Sequence, residues 1–215
     1  MLTSVDVWVV PRQVDRVLRL FISIIAPCIQ KNLTILIKNL VIWAAISAGK
    51  EIEKIVGSGS VYAYVSPYYR TRQTYSGIRS VIGKNISRSI EDPRIRELDW
   101  GHLRHPDDNE EIIKERNNFS TFYYRIPDGE SGADVYDRVS TFLETIYRDF
   151  SKSDYPENCL IVTHGMTLRL FLMRWFHWSV DEFENLRNPS NCQVVVMKRS
   201  ETGKYELTSK LRTRR

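Results

Sequence analysis

Asn158-Cys159-Leu160-Ile161-Val162-Thr163-His164-Gly165-Met166 is the stretch that decides the fold. Its apolar run, Cys159 to Val162, has the length and β-branching of a strand covered on both faces. Gly165 marks a turn, and the next apolar residues, Leu168, Phe171, Leu172 and Trp175, recur at helical spacing, which predicts a helix from about Thr167. His164 then lies at the carboxyl end of a central strand and at a helix N-terminus. In open α/β sheets that is where ligands bind, and a helix N-terminus favours anions. Position alone leaves a second reading open: a histidine buried in a tight turn and hydrogen-bonded there.

Upstream, a second unit has the same form. Val61-Tyr62-Ala63-Tyr64-Val65 reads as a strand stopped by Ser66-Pro67, and Arg70 to Ile82 as a helix. Before it, Ala44 to Val56 is amphipathic, with Ala45, Ala48, Ile52 and Ile55 on one face, and Gly57-Ser58-Gly59-Ser60 ends it. Ser89 to Gly101 reads as irregular, Asp107 to Asn118 as a charged helix, and Tyr123 to Ser131 as a loop. Asp134 to Phe150 carries a clear stripe of Val135, Val139, Phe142, Leu143, Ile146 and Phe150. Gln193 to Lys198 and Tyr205 to Thr208 flank Glu201-Thr202-Gly203-Lys204, a hairpin signal. Alternating strands and helices predict an α/β fold with a mostly parallel sheet and an antiparallel edge.

The chain has 215 residues, enough for one α/β domain with a full core. Its net charge of +5 suits phosphate esters as well as nucleic acid. No RRM, zinc-finger or helix-turn-helix pattern supports nucleic acid as a partner. Cys28, Cys159 and Cys192 lack metal-ligand spacing and form no plausible cluster with His102, His105, His164 and His177. No metal or other cofactor is expected, and buried, reduced thiols point to a cytoplasmic setting. Residues 1–40 differ from the rest: rich in Val, Leu and Ile, with no Glu. Their apolar runs are interrupted by Arg19, Pro27, Lys31 and Lys38, so none reaches the roughly 20 residues of a transmembrane span. The expected organisation is an atypical segment over 1–40 and one domain over 41–215. Oligomeric state is not legible.

Besides His164, two stretches carry candidate chemistry. Arg70 and Arg72 sit at a predicted helix start, where the dipole disfavours cations, so an arginine there calls for a compensating anion. Guanidinium forks bind phosphate bidentately. Glu97, in Arg96-Glu97-Leu98-Asp99-Trp100-Gly101, is suited to hand a proton to a leaving oxygen near such a site. The plainer alternatives are exposed arginines and a surface carboxylate paired with Arg96.

Four motifs occur in one order: SPYYRTRQT (66–74), RELDWG (96–101), PDGESGADVYDRV (127–139) and IVTHGMTLR (161–169). Together they resemble the histidine phosphatase superfamily, in its phosphoglycerate-mutase-like branch, over about Val41 to Lys210. The wording is similar above all to fungal mutase-like phosphatases. The resemblance implies a three-layer α/β/α sandwich and hydrolysis of small phosphorylated substrates without a metal. A histidine in an Arg-His-Gly motif would attack the phosphoryl group, and water would then hydrolyse the phosphohistidine. It also implies roles residue by residue. Arg70 would clamp phosphate, Glu97 would serve the leaving group and then water, and His164 would hold a phosphoryl oxygen. Gly165 would let backbone approach the substrate, and Tyr124 and Arg125 would fall in a substrate-facing insertion.

One departure matters. No histidine precedes His102, and Arg-His-Gly occurs nowhere. Pro11-Arg12-Gln13 follows a plausible first strand at Val5 to Val10, yet Gln13 cannot carry a phosphoryl group. Two readings compete. Residues 1–40 come from a misread gene start or retained intron, or the chain is a pseudo-phosphatase that binds a phosphorylated ligand without a nucleophile. On either reading the chain as written should hydrolyse little. A phosphoglycerate mutase is a further alternative, disfavoured by the short stretch between the Glu97 and His164 motifs.

Overall fold

The computed structural model describes residues 35–101 and 106–214. The readings placed on Val5 to Val10, Arg12, Gln13, Cys28, His102 and His105 lie outside these residues. Three parallel strands form the centre: β1 (Val61–Val65), β2 (Ile86–Glu91) and β3 (Asn158–Val162), in spatial order β2-β1-β3. β1 and β3 run in register from Val61↔Asn158 to Val65↔Val162. Because side chains alternate along a strand, these two strands feed two separate cores. Val61, Ala63, Val65, Leu160 and Val162 pack with α1 (Ile35–Val56) and α2 (Tyr69–Ile82). Tyr64, Cys159 and Ile161 pack on the other face with α4 (Gly132–Phe150) and α5 (Gly165–Phe176). The result is helices, sheet, helices.

α1 and α2 lie close enough that a Cβ added at Gly77 would sit 2.6 Å from Ala45 Cβ. α3 (Pro106–Phe119) and the short α6 (Val180–Glu184) complete the helices described. The stripe predicted on α4 is buried at Val135, Val139, Phe142, Leu143 and Ile146. Its start is fixed by a capping box, in which Ser131 and Asp134 bond each other's backbone N–H.

The structure corrects three boundaries. Ile86–Glu91 is a strand, although Ser89 onward was expected to be irregular. Its sequence, Ile86-Ser87-Arg88-Ser89-Ile90-Glu91, is largely exposed at the sheet edge, so burial imposes no apolar alternation on it. α5 starts at Gly165 rather than Thr167, which makes His164 itself the N-cap residue. The hairpin forms, with β4 (Met197–Arg199) antiparallel to β5 (Tyr205–Leu207), but as a separate two-stranded sheet and not on the edge of the parallel one.

Candidate active site

The β1–α2 and β3–α5 turns lie side by side because their strands are neighbours. The backbone joins them directly, with Ser66 N–H donating to Val162 C=O at 2.9 Å. Thr71 Oγ1 donates to the carbonyls of Ser66 (2.8 Å) and Tyr68 (2.6 Å), which fixes the entry into α2. That entry delivers Arg70 to His164. Arg70 Nε and Nη2 lie 3.2 and 3.1 Å from His164 Nδ1, and Ser66 Oγ lies 2.7 Å from Nε2. The Tyr68 ring meets the imidazole edge-on at 5.2 Å between centroids, and the Arg70 guanidinium sits 5.0 Å over that same ring.

His164 is 1 % exposed, so the reading of a buried, hydrogen-bonded histidine describes its surroundings too. Burial first, then the charges of Arg70 and Arg138, lower its pKa to about 3. The ring is therefore neutral over the ordinary pH range. A guanidinium can only donate, so Nδ1 is the acceptor and Nε2 carries the proton facing Ser66. Arg70 has no carboxylate partner among the described residues. Arg72, two positions on, points elsewhere and reaches Glu91 only at 3.9 Å in an exposed pair.

Glu97 reaches the same turn from another direction. Its Oε2 lies 3.4 Å from Met166 N and its Oε1 3.3 Å from Thr167 Oγ1, while Oε1 also accepts from Leu98 N at 3.0 Å. The carboxylate thus sits at the N-terminus of α5, where the helix dipole favours negative charge. It is not paired with Arg96, whose guanidinium bonds Glu130 instead.

The segment carrying Glu97 has no strand ladder of its own. Side chains from elsewhere hold its carbonyls instead. Arg138 Nη1 donates to the carbonyls of Arg94 (2.6 Å) and Arg96 (2.8 Å), and Nη2 to that of Glu97 (3.1 Å). Thr163 Oγ1 donates to Ile95 O at 2.7 Å, and Thr167 Oγ1 to Arg96 O at 2.6 Å. Four consecutive carbonyls are captured in this way. Glu130 locks Arg138 from behind at 3.1 Å and accepts from Asp99 N at 3.0 Å.

The structure therefore brings Arg70 and His164 into contact and places Glu97 on the turn that His164 begins. Gly165 is buried as the first residue of α5. Tyr124 and Arg125 are engaged away from these groups: Tyr124 donates to Glu115 at 2.6 Å, and Arg125 to Asp134 at 2.7 Å. Sequence reasoning did not single out Ser66, Glu130, Arg138, Thr163 or Thr167. All lie in or beside the quoted motifs, but nothing in their spacing shows which carbonyl or ring atom they meet. It also missed Arg116 and Arg169, each over nine-tenths buried with an unpartnered Nε. Among the described residues, no group of three His, Cys, Asp or Glu is placed to hold a metal ion.

Known proteins resemble this chain in sequence and in fold. The family model described as histidine phosphatase superfamily (branch 1) matches residues 42–210. The phosphoglycerate mutase-like protein AT74 of Arabidopsis thaliana is 42% identical over 173 residues, covering 74% of this chain and 55% of its own length. The broad-range acid phosphatase DET1 of Saccharomyces cerevisiae is 42% identical over 115 residues, covering 52% of this chain and 34% of that protein. The chain thus spans about half of the first relative and a third of the second. The mycobacterial glucosyl-3-phosphoglycerate phosphatase solved with inorganic phosphate shares the fold at a TM-score of 0.66 and 17% identity, over 90% of this chain and 96% of that one. The family match covers most of the chain: the chain belongs to the histidine phosphatase superfamily, branch 1.

Proposed function

We propose that residues 41–215 form a domain that binds the phosphoryl group of a small phosphomonoester between Arg70 and His164, with Glu97 beside it. The observation that carries this reading is the Arg70–His164 contact at 3.1–3.2 Å. A cation at a helix N-terminus, facing a neutral imidazole and no carboxylate, leaves a positive charge for an anion to neutralise. The family and its phosphatase and mutase-like relatives support hydrolysis of phosphomonoesters as the ancestral chemistry.

Hydrolysis through phosphohistidine needs a free ring nitrogen in line with phosphorus. His164 does not supply one, since Nδ1 is taken by Arg70 and Nε2 by Ser66. With no histidine before His102 in the chain, we infer that it binds phosphomonoesters and turns them over slowly or not at all. Glu97 would then serve a leaving group only in a chain that also has a nucleophile. Gly165 would allow backbone approach to the bound group, and Tyr124 and Arg125 would meet the rest of the substrate only by leaving their present partners. No helix among the described residues is long and apolar enough to cross a membrane.

The test is p-nitrophenyl phosphate hydrolysis by the chain and by a version whose N-terminal segment is replaced by one ending in Arg-His-Gly. Turnover by the replaced version alone supports the reading. Turnover by the native chain that His164→Ala abolishes would overturn it.

A further inference from the structure

We propose that this pocket takes up an anion and a proton together: an oxyanion that engages Arg70 is bound with His164 as an imidazolium donor. The proposal rests on the phosphate-pocket reading above and adds its proton requirement.

The argument begins with hydrogen-bonding capacity. Both contacts to His164 Nδ1 come from a donor-only guanidinium, at 3.2 and 3.1 Å. Nδ1 therefore presents a lone pair, and the single ring proton lies on Nε2, against Ser66 Oγ at 2.7 Å. The ring has no free N–H to offer. A deprotonated oxyanion has only acceptors. Once Arg70 turns its N–H groups to that anion, Nδ1 loses its donor and faces negative charge with a lone pair. The ring then either moves its single proton to Nδ1, with the Ser66 hydroxyl donating to Nε2, or gains a proton and becomes a second, charge-assisted donor.

The charges around the ring set the direction. Among the described residues, α2 contributes Arg70 and α4 contributes Arg138, both cationic. The β1 end contributes Ser66 and the Tyr68 ring, both neutral. The one carboxylate on the same turn, Glu97, is bonded to Met166 N and Thr167 Oγ1 and not to the imidazole. Burial and these two cations thus oppose an imidazolium. An arriving anion supplies the missing negative charge, which favours the charged form. The free ring stays neutral well above its lowered pKa. Uptake of one proton on binding then makes anion affinity fall about tenfold for each unit rise in pH, as long as the bound ring is protonated and the free one is not.

The experiment is titration calorimetry of the full chain with sulfate, which does not itself titrate between about pH 5 and pH 7.5, in buffers of different ionisation enthalpy at each pH. The expected result is one sulfate per chain, about one proton taken up, and a dissociation constant that rises about tenfold per pH unit. His164→Asn keeps a polar group at the position and cannot titrate, so it should flatten that slope. Sulfate binding without proton uptake would overturn the proposal and leave the pocket reading standing, as would a slope that persists in His164→Asn. No sulfate binding at any pH would overturn both. The two-buffer measurement needs only the native chain, so it decides the matter even where the variant does not fold.

Discussion

The two segments that present His164 and Glu97 are built by opposite means. His164 lies two residues beyond β3, whose five residues are all buried and paired in register with β1. Its position follows from backbone hydrogen bonds and from two apolar cores, one on each face. Glu97 sits in a segment without a ladder, and its chain is held by side-chain donors from α4 and from the β3–α5 turn. A residue placed by a ladder inherits the rigidity of the sheet. A residue placed by side chains depends on a few polar groups and can be displaced without unfolding the core.

That contrast can be broken experimentally. The largest effect is expected from Arg138→Met, which takes a donor from three carbonyls, leaves only that of Arg96 still held by Thr167, and removes one of the guanidinium partners of Glu130. It should cost about 4 kcal/mol, since it strips a partner from a largely buried charge. In hydrogen exchange, amides around Arg96 to Leu98 should lose protection while those of β3 keep theirs; equal loss in both would merge the two regions into one unit. Leu160→Ala attacks the other side. It leaves a cavity among α1, α2 and the sheet and should cost about 3 kcal/mol in denaturant unfolding. Loss of protection should then fall on β1 and β3.

Smaller changes sharpen the picture. Thr163→Val keeps the shape of the side chain and strands the buried carbonyl of Ile95, at a cost of about 1.5 kcal/mol. Its exchange signature should match that of Arg138→Met, although Thr163 directly follows β3. Ser131→Ala removes the cap of α4 and should cost about 1 kcal/mol, with no local loss at either turn. Asp134 lies in the same cap. Burial pushes its carboxyl upward, but bonds from Ser131 and Arg125 more than offset this, so its pKa ends below the ordinary value. The carboxylate's share of the cap is therefore complete above the usual carboxylate range and is lost as pH falls through the lowered value. The gap in thermal unfolding between the native chain and Ser131→Ala should narrow at low pH, leaving the share of the bond from Asp134 N–H to Ser131 Oγ.

The same contrast explains what the sequence reveals. β3 and the α4 stripe are legible because burial on defined faces leaves a periodic apolar pattern, as in Cys159 to Val162 and Val135 to Ile146. β2 is not legible, because Ser87, Arg88 and Ser89 lie at an exposed edge where no pattern is enforced. At the site, Arg70, Glu97 and His164 are findable by chemical type, by position near helix starts, and by motif order. Arg138 and Thr163 are not, because their work is to meet carbonyls 42 and 68 residues away in sequence. Nor does spacing reveal that Arg70 donates to the imidazole, which fixes the tautomer of His164.

The central claim is that Arg70 and His164 frame one oxyanion site. A crystal of the native chain soaked in tungstate tests it most directly. The account predicts a single strong anomalous peak within hydrogen-bond reach of the Arg70 guanidinium and His164 Nδ1, absent in Arg70→Ala. Tungstate bound elsewhere while this site stays empty would contradict it.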